Sequence, residues 1–135
     1  MSKVLIIDDD EIFRALVSEA LSANGHTVLT AIDGEQGLKT ARAERPDAIV
    51  VDLVMPKVHG YRVIERIRRY PELEDSRIII SSSSVPDTAI GQFADHFLKK
   101  PYDPDILVQL VAEIEKNATV RAKSAARRKE REQGK

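Results

Sequence analysis

Short apolar runs alternate along this chain with longer stretches in which apolar residues recur at helical spacing. The runs VLII, AIVV and III are apolar at every position, which is typical of strands covered on both faces of a sheet. Strands that alternate with helices favour a parallel sheet with helices packed on both faces. The pattern predicts five strands, at Lys3–Asp8, Thr27–Ile32, Asp47–Asp52, Arg77–Ser82 and His96–Lys99.

A helical pattern follows each of the five predicted strands. The second helix has Asp33 as its N-cap, and the fifth begins with Asp103 as N-cap and Pro104 at the first helical position. The fourth, within Pro86–Phe93, is short and weakly amphipathic. The apolar positions expected to face the sheet are Ile12, Phe13, Leu16, Val17, Ala20 and Leu21 in the first helix, Tyr61, Ile64 and Ile67 in the third, and Ile106, Leu107, Leu110, Val111 and Ile114 in the fifth.

Five strand–helix units in about 115 residues indicate a doubly wound α/β domain, in which ligands bind at the carboxyl ends of the strands. Hydrophobic residues make up 42% of the 135 residues, which is enough to build a buried core. The sequence contains no Cys, which excludes a disulfide framework, a thiolate nucleophile and thiolate metal sites.

The net charge of −1 is distributed unevenly. Residues 117–135 contain seven Lys or Arg and two Glu, whereas residues 1–116 are acidic on balance. We therefore expect a domain over residues 1–116 and a basic C-terminal tail over residues 117–135, either a helix extension or disordered. The N-terminus does not read as a signal peptide, and no apolar run approaches the roughly 18–20 residues that span a membrane. A cytoplasmic protein without membrane association is expected.

Residues with reactive side chains follow several strands of the predicted sheet. Asp8 and Asp9 follow the first strand, Asp52 ends the third, Ser81–Ser84 follow the fourth, and Lys100 follows the fifth. Carboxylates that converge at one edge raise one another's pKa unless a cation lies among them, and Mg²⁺ favours such oxygen ligands. A lysine and a hydroxyl nearby can contact phosphoryl oxygens, and a carboxylate can itself accept a phosphoryl group. The sequence therefore favours phosphoryl transfer. Asp10 is expected to be an N-cap rather than a metal ligand.

Four segments, in order, carry a family resemblance: VLIIDDDEIFR, PDAIVVDLVMPKVHGY, RIIISSSS and DHFLKKPYDPDIL. With the acid pair, the Asp-x-x-Met-Pro-x-x-x-Gly loop and Lys-Pro in register, the chain resembles the receiver domains of two-component response regulators over roughly residues 3–116. The resemblance implies a flavodoxin-like sheet of five parallel strands in the order 2-1-3-4-5, with helices on both faces and a short fourth helix.

The resemblance also implies a role for each matching residue. Asp52 would be the phosphoacceptor. Mg²⁺ would be held by Asp8, by Asp9 as the more direct ligand, by Asp52 and by the backbone carbonyl of Val54. The phosphate-contacting base would be Lys100, the switch hydroxyl Ser82 and the switch aromatic Phe97. A cis peptide bond is implied between Lys100 and Pro101.

Partners follow from the same resemblance. A histidine kinase or a histidine phosphotransfer protein would donate the phosphoryl group, and the protein would signal by contact with a downstream protein target. We expect no DNA-binding domain after residue 116, and either a monomer or a weak phosphorylation-dependent dimer. The protein would not be an enzyme with a separate substrate, although it would catalyse its own phosphorylation and dephosphorylation.

An alternative class of protein remains open from the sequence. The Asp8-Asp9-Asp10 run after a strand also resembles the nucleophile motif of haloacid-dehalogenase-like phosphatases, with Asp8 as the nucleophile. Ser82 and Lys100 could serve the later motifs of that family. Against this alternative, the chain is short, it has no visible cap domain and no final acidic motif, and Asp52 would have no role.

Overall fold

The computed structural model describes the backbone of residues 1–133 and the side chains of residues 1–118. Within these residues the chain forms one sheet of five parallel strands and five α-helices. The strands are β1 (Lys3–Ile7), β2 (Thr27–Ala31), β3 (Ala48–Val51), β4 (Arg77–Ser82) and β5 (His96–Lys99). The helices are α1 (Glu11–Ala23), α2 (Gly34–Glu44), α3 (Gly60–Arg69), α4 (Thr88–Gly91) and α5 (Pro104–Gln133), with a short 3-10 helix at Pro71–Leu73.

The strand order is β2-β1-β3-β4-β5, which confirms the predicted doubly wound sheet. Strand β1 lies between β2 and β3 and pairs with both, so that Ile7 lies opposite Ala31 on one side and Val51 on the other. Because the strands are parallel, their carboxyl ends meet at one edge. This register brings the residues that follow β1 and β3 next to each other.

Alternating side chains of the strands build two core layers. On β1, Leu5 and Ile7 belong to the layer beneath α2 and α3, whereas Val4 and Ile6 belong to the layer beneath α1 and α5. Both layers consist mainly of Val, Ile, Leu and Ala, which agrees with the low aromatic content of 4%. The sheet is therefore covered on both faces, and its loops at the carboxyl edge rest on a packed core.

The predicted apolar stripe of α1 is partly wrong. Val17 and Leu21 are buried as expected, but Ile12 and Leu16 are 73% and 52% exposed. These two residues lie on a row of α1 beside the row that faces the sheet, and the packed stripe is only about one row wide. On α5, Ile106 is exposed for the same reason, whereas Leu107, Val111 and Ile114 are buried.

Several element boundaries differ from the prediction by small amounts. The first three strands end one residue earlier than predicted, at Ile7, Ala31 and Val51, which leaves Asp8 and Asp52 just beyond the sheet. The short fourth helix is confirmed as a single turn, with Asp87 as its N-cap accepting a hydrogen bond from the Ile90 N–H at 2.8 Å.

The last helix continues past the predicted end of the domain. Its backbone is helical to Gln133, but the side chains of residues 119–135 lie outside the described residues. The role expected for the basic tail over residues 117–135 stays a prediction. Over the part of the chain that the structure describes, none of the helices is long and apolar enough to cross a membrane.

Candidate functional site

Three carboxylates converge where β1 and β3 end. One carboxylate oxygen from each of Asp8, Asp9 and Asp52 lies within 4.8 Å of the others. Asp8 and Asp9 follow β1, and Asp52 follows β3, so the pairing of these two strands brings them together. The cluster predicted from the sequence is therefore present.

Asp8 is the buried member of the cluster, with only 1% of its surface exposed. Its backbone continues the sheet by donating to the Ala31 carbonyl at 3.1 Å, and its Oδ1 accepts from the Asp10 N–H at 2.9 Å. Burial raises the pKa of Asp8, and the hydrogen bonds from Lys100 and Asp10 oppose that rise only in part. This carboxylate is therefore desolvated, and a nearby cation stabilises its charged form.

Lys100 follows β5 and reaches across the strand ends to the acids. Its Nζ lies 2.6 Å from Asp8 Oδ2 and 3.4 Å from Asp52 Oδ2. Burial alone would lower the pKa of Lys100, but the hydrogen bond and charge of Asp8, together with the charge of Asp52, outweigh it and raise that pKa. The lysine is therefore held in its charged form. The Lys100–Pro101 peptide bond is cis, as the resemblance implied.

Asp52 lies in the loop between β3 and α3, where hydrogen bonds to β1 and within the loop hold it in place. Its N–H donates to the Ile7 carbonyl at 3.1 Å, and its Oδ1 accepts from the Val54 N–H at 3.2 Å. At Gly60, the first residue of α3, a Cβ would collide with the Asp52 carbonyl oxygen and with Leu53 Cα. Only glycine permits this approach, which fixes the backbone from which the Asp52 side chain projects.

The remaining predicted residues lie on β4, on β5 and in the loops that follow β1 and β3. Ser82 ends β4, is fully buried and accepts a hydrogen bond from the Ser84 N–H at 3.2 Å. Phe97 lies on β5 and is 37% exposed, and Val54 is 60% exposed in the loop after Asp52. Asp10 caps α1 by accepting hydrogen bonds from the Ile12 and Phe13 N–H groups at 3.0 and 3.1 Å, which confirms its predicted cap role.

Two further residues, Arg14 and Phe13, contact this site, and a third, Tyr102, packs against Phe13; these contacts were not predicted from the sequence. Arg14 donates from Nη1 to the Asp8 carbonyl at 2.7 Å. The ring of Phe13 lies 4.0 Å from Lys100 Nζ, and Tyr102 packs edge-to-face against Phe13 with ring centroids 5.9 Å apart. For Arg14 the sequence held a signal, since it lies one helical turn after the capping Asp10. For the two aromatic residues only the fold brings the contact about.

The donor set suits a hard divalent cation. Asp8, Asp9 and Asp52 offer carboxylate oxygens, the ligands that Mg²⁺ prefers, and Asp9 is exposed, so that a bound ion could keep several of its waters. Asp8, Asp9 and Asp52 would hold the ion, which would supply positive charge, and the Lys100 ammonium supplies a second positive charge beside Asp52. Chemically, the arrangement can neutralise charge on a phosphoryl group held at Asp52.

Comparison with known proteins agrees with this geometry. The family model of the response regulator receiver domain matches residues 4–112. The transcriptional regulatory protein AfsQ1 of Streptomyces coelicolor is 36% identical over 79% of this chain and 48% of its own length. The alkaline phosphatase synthesis transcriptional regulatory protein PhoP of Bacillus subtilis is 30% identical over 98% of this chain and 56% of its own length. The chain thus spans about half the length of these curated relatives.

Solved structures resemble the chain over most of its length. The chemotaxis response regulator CheY4 of Vibrio cholerae has a TM-score of 0.78 and 29% identity, over 84% of this chain and 98% of that one. The response regulator TrrA of Thermotoga maritima, solved in complex with Mg²⁺ and BeF, has a TM-score of 0.76 and 28% identity, over 84% of this chain and 99% of that one. On its sequence, its fold and its acidic cluster, this chain belongs to the response regulator receiver domain family.

Proposed function

We propose that the protein accepts a phosphoryl group on Asp52 from the phosphohistidine of a histidine kinase or phosphotransfer protein. The observation that carries this proposal is the position of Asp52 between two acidic neighbours and the Lys100 ammonium. A carboxylate oxygen of Asp52 forms the bond to phosphorus while the bond from phosphorus to the donor nitrogen breaks. The electron pair leaves with the imidazole, which takes a proton from solvent.

In this proposal Mg²⁺ is held by Asp8, Asp9, Asp52 and the carbonyl of Val54, and it supplies the charge neutralisation that transfer requires. The Mg²⁺–BeF complex of TrrA supports a magnesium-dependent site in a relative. Lys100 contacts a phosphoryl oxygen, and the Ser82 hydroxyl and Phe97 ring carry the change outward. The protein catalyses these steps on itself, works in the cytoplasm as a monomer or weak dimer, and signals by binding a downstream protein through the domain over residues 1–116.

Adduct mapping tests this function directly. Incubation with phosphoramidate or beryllofluoride and Mg²⁺, followed by mass spectrometry, should place the modification on Asp52. The Asp52→Asn variant should lose labelling, because an amide is a far poorer nucleophile than a carboxylate. The Asp9→Ala variant should lose both Mg²⁺ binding and most labelling. Modification of Asp8 with Asp52→Asn still labelled would instead support the phosphatase alternative.

A further inference from the structure

The Lys100 ammonium contacts two carboxylates and one aromatic ring. It donates towards Asp8 Oδ2 at 2.6 Å and Asp52 Oδ2 at 3.4 Å, and it lies over the Phe13 ring at 4.0 Å from the centroid. An ammonium at that distance from a ring is attracted by the negative potential of the ring face. The ring therefore lies against the same ammonium that binds the two acids, and the Lys100 side chain is left 19% exposed.

Phe13 is held both through its backbone and through its ring. Its backbone N–H is bound by the Asp10 cap at 3.1 Å, which sets the start of α1. Its ring meets Tyr102 nearly at right angles, with an interplanar angle of 85°. The Tyr102 hydroxyl shares a hydrogen bond of 2.6 Å with Ser81 Oγ, and burial raises the pKa of Tyr102 to about 12, so that the ring stays neutral. Ser81 is fully buried in β4, so this hydrogen bond ties the Tyr102 ring to the sheet.

A free lysine side chain is flexible, and a residue that must meet a phosphoryl oxygen gains from being confined beforehand. We propose that Phe13 is a positioning residue for Lys100. The face of the Phe13 ring holds the Lys100 ammonium against Asp8 and Asp52 and thereby speeds phosphoryl transfer to Asp52. The proposal rests on the function proposed above. It differs from a simple packing role, because a packing role needs only the volume of the side chain and not its ring face.

Two substitutions at Phe13 test whether its ring matters. Phe13→Leu keeps an apolar side chain and removes the ring face, whereas Phe13→Tyr keeps both. With phosphoramidate and Mg²⁺, Phe13→Leu should be labelled about fivefold more slowly than wild type, in line with the usual strength of such contacts, while Phe13→Tyr stays close to wild type. Leu16→Ala, which trims an exposed apolar residue on the same helix, serves as the matched control and should label at the wild-type rate.

A double-mutant cycle shows whether Phe13 acts through Lys100. In a Lys100→Met background the ammonium is absent, and Phe13→Leu should then cause no further slowing. An equal slowing in both backgrounds would overturn the proposal in favour of packing alone. Phe13→Leu labelling as fast as wild type would overturn it as well.

Proton NMR tests the contact without any phosphoryl transfer. The ε-methylene protons of Lys100, assigned by their loss in Lys100→Met, should be shifted upfield by the ring in wild type and Phe13→Tyr. They should move downfield in Phe13→Leu, and an unchanged position would overturn the proposal. A wild-type protein that no phosphodonor labels would overturn the proposed function itself, and with it the role in transfer. Normal labelling of wild type and of Phe13→Leu alike would overturn the role of Phe13 alone.

Discussion

Asp8 and Lys100 show how single residues balance charge at the carboxyl edge of the sheet. Burial raises the pKa of the Asp8 carboxyl, which disfavours its negative form, and the hydrogen bond and charge of Lys100 oppose that rise. The acids in turn raise the pKa of Lys100, which favours its positive form. A cation that binds Asp8 must compete with the ammonium for the same carboxylate. Lys100 therefore has two opposing effects, since it favours a phosphoryl group and disfavours a metal ion.

Removal of the lysine charge should strengthen magnesium binding. We expect Lys100→Met to bind Mg²⁺ at neutral pH about tenfold more tightly than wild type, because a positive charge beside the ion site is lost. Titration calorimetry measures the two dissociation constants, and Leu16→Ala is a control that leaves the site intact. Equal affinity of Lys100→Met and wild type would mean that the ion does not use the carboxylate bound by Lys100.

At the scale of elements, the start of α1 depends on one cap. Asp10 Oδ1 accepts from two N–H groups, and replacement of such a cap by Ala costs about 1 kcal/mol of the free energy of unfolding. We expect Asp10→Ala to lose that amount in urea denaturation. Glu11→Ala is the matched control, since it removes a first-turn acid that affects α1 only through the helix dipole. A loss no larger than that of Glu11→Ala would contradict the cap role.

The start of α2 gives a dependence of stability on pH. Asp33 caps α2, and the hydrogen bond from the Gln36 N–H, aided by Lys57, holds the pKa of Asp33 below its ordinary value of 3.8. A lowered pKa in the folded state stabilises the protein above the unfolded pKa, and this stabilisation is lost as the pH falls through the folded pKa. We expect Asp33→Asn, which keeps a cap oxygen, to be less stable than wild type at neutral pH.

The difference between wild type and Asp33→Asn should shrink as the pH falls below 3.8, the ordinary value. Urea midpoints of both proteins over the acidic range measure it. A difference that stays constant across that range would show that the Asp33 carboxylate charge does not stabilise the fold.

The sequence predicted the elements well because their signals are local. Apolar runs marked all five strands, and Asp10, Asp33 and Pro104 marked helix starts within a residue or two. The exposure of Ile12 and Leu16 was missed, since periodicity cannot tell which of two adjacent helical rows meets the sheet. The acidic cluster was predicted because parallel strands bring the residues at their carboxyl ends to one edge of the sheet. The Phe13–Lys100 contact was not, because its partners lie on α1 and after β5, and only packing brings them together.

At the scale of the whole molecule, the Arg68 side chain connects the loop before β5 to α3 and to the segment before β4. Arg68 at the end of α3 donates to the Phe93 carbonyl at 2.7 Å, to the Ser76 carbonyl at 3.0 Å and to Asp95 Oδ2 at 2.7 Å. Between this anchor and Ser82 lies α4, a single turn with little buried apolar surface. A short helix of this kind opens more readily than the long helices around it.

That segment is where phosphorylation should have its largest effect. We expect the phosphoryl oxygen to capture the Ser82 hydroxyl, which now accepts from the Ser84 N–H, and the half-exposed Phe97 ring to turn inward. The two states need differ by only a few kcal/mol for such a contact to shift the population. Amide exchange with and without beryllofluoride and Mg²⁺ should therefore change most within Ser82–Lys99 and less in the buried stripe of α5. Asp52→Asn under the same conditions is the control and should not respond. Changes limited to Asp52–Gly60 would show that the switch does not pass through Ser82 and Phe97.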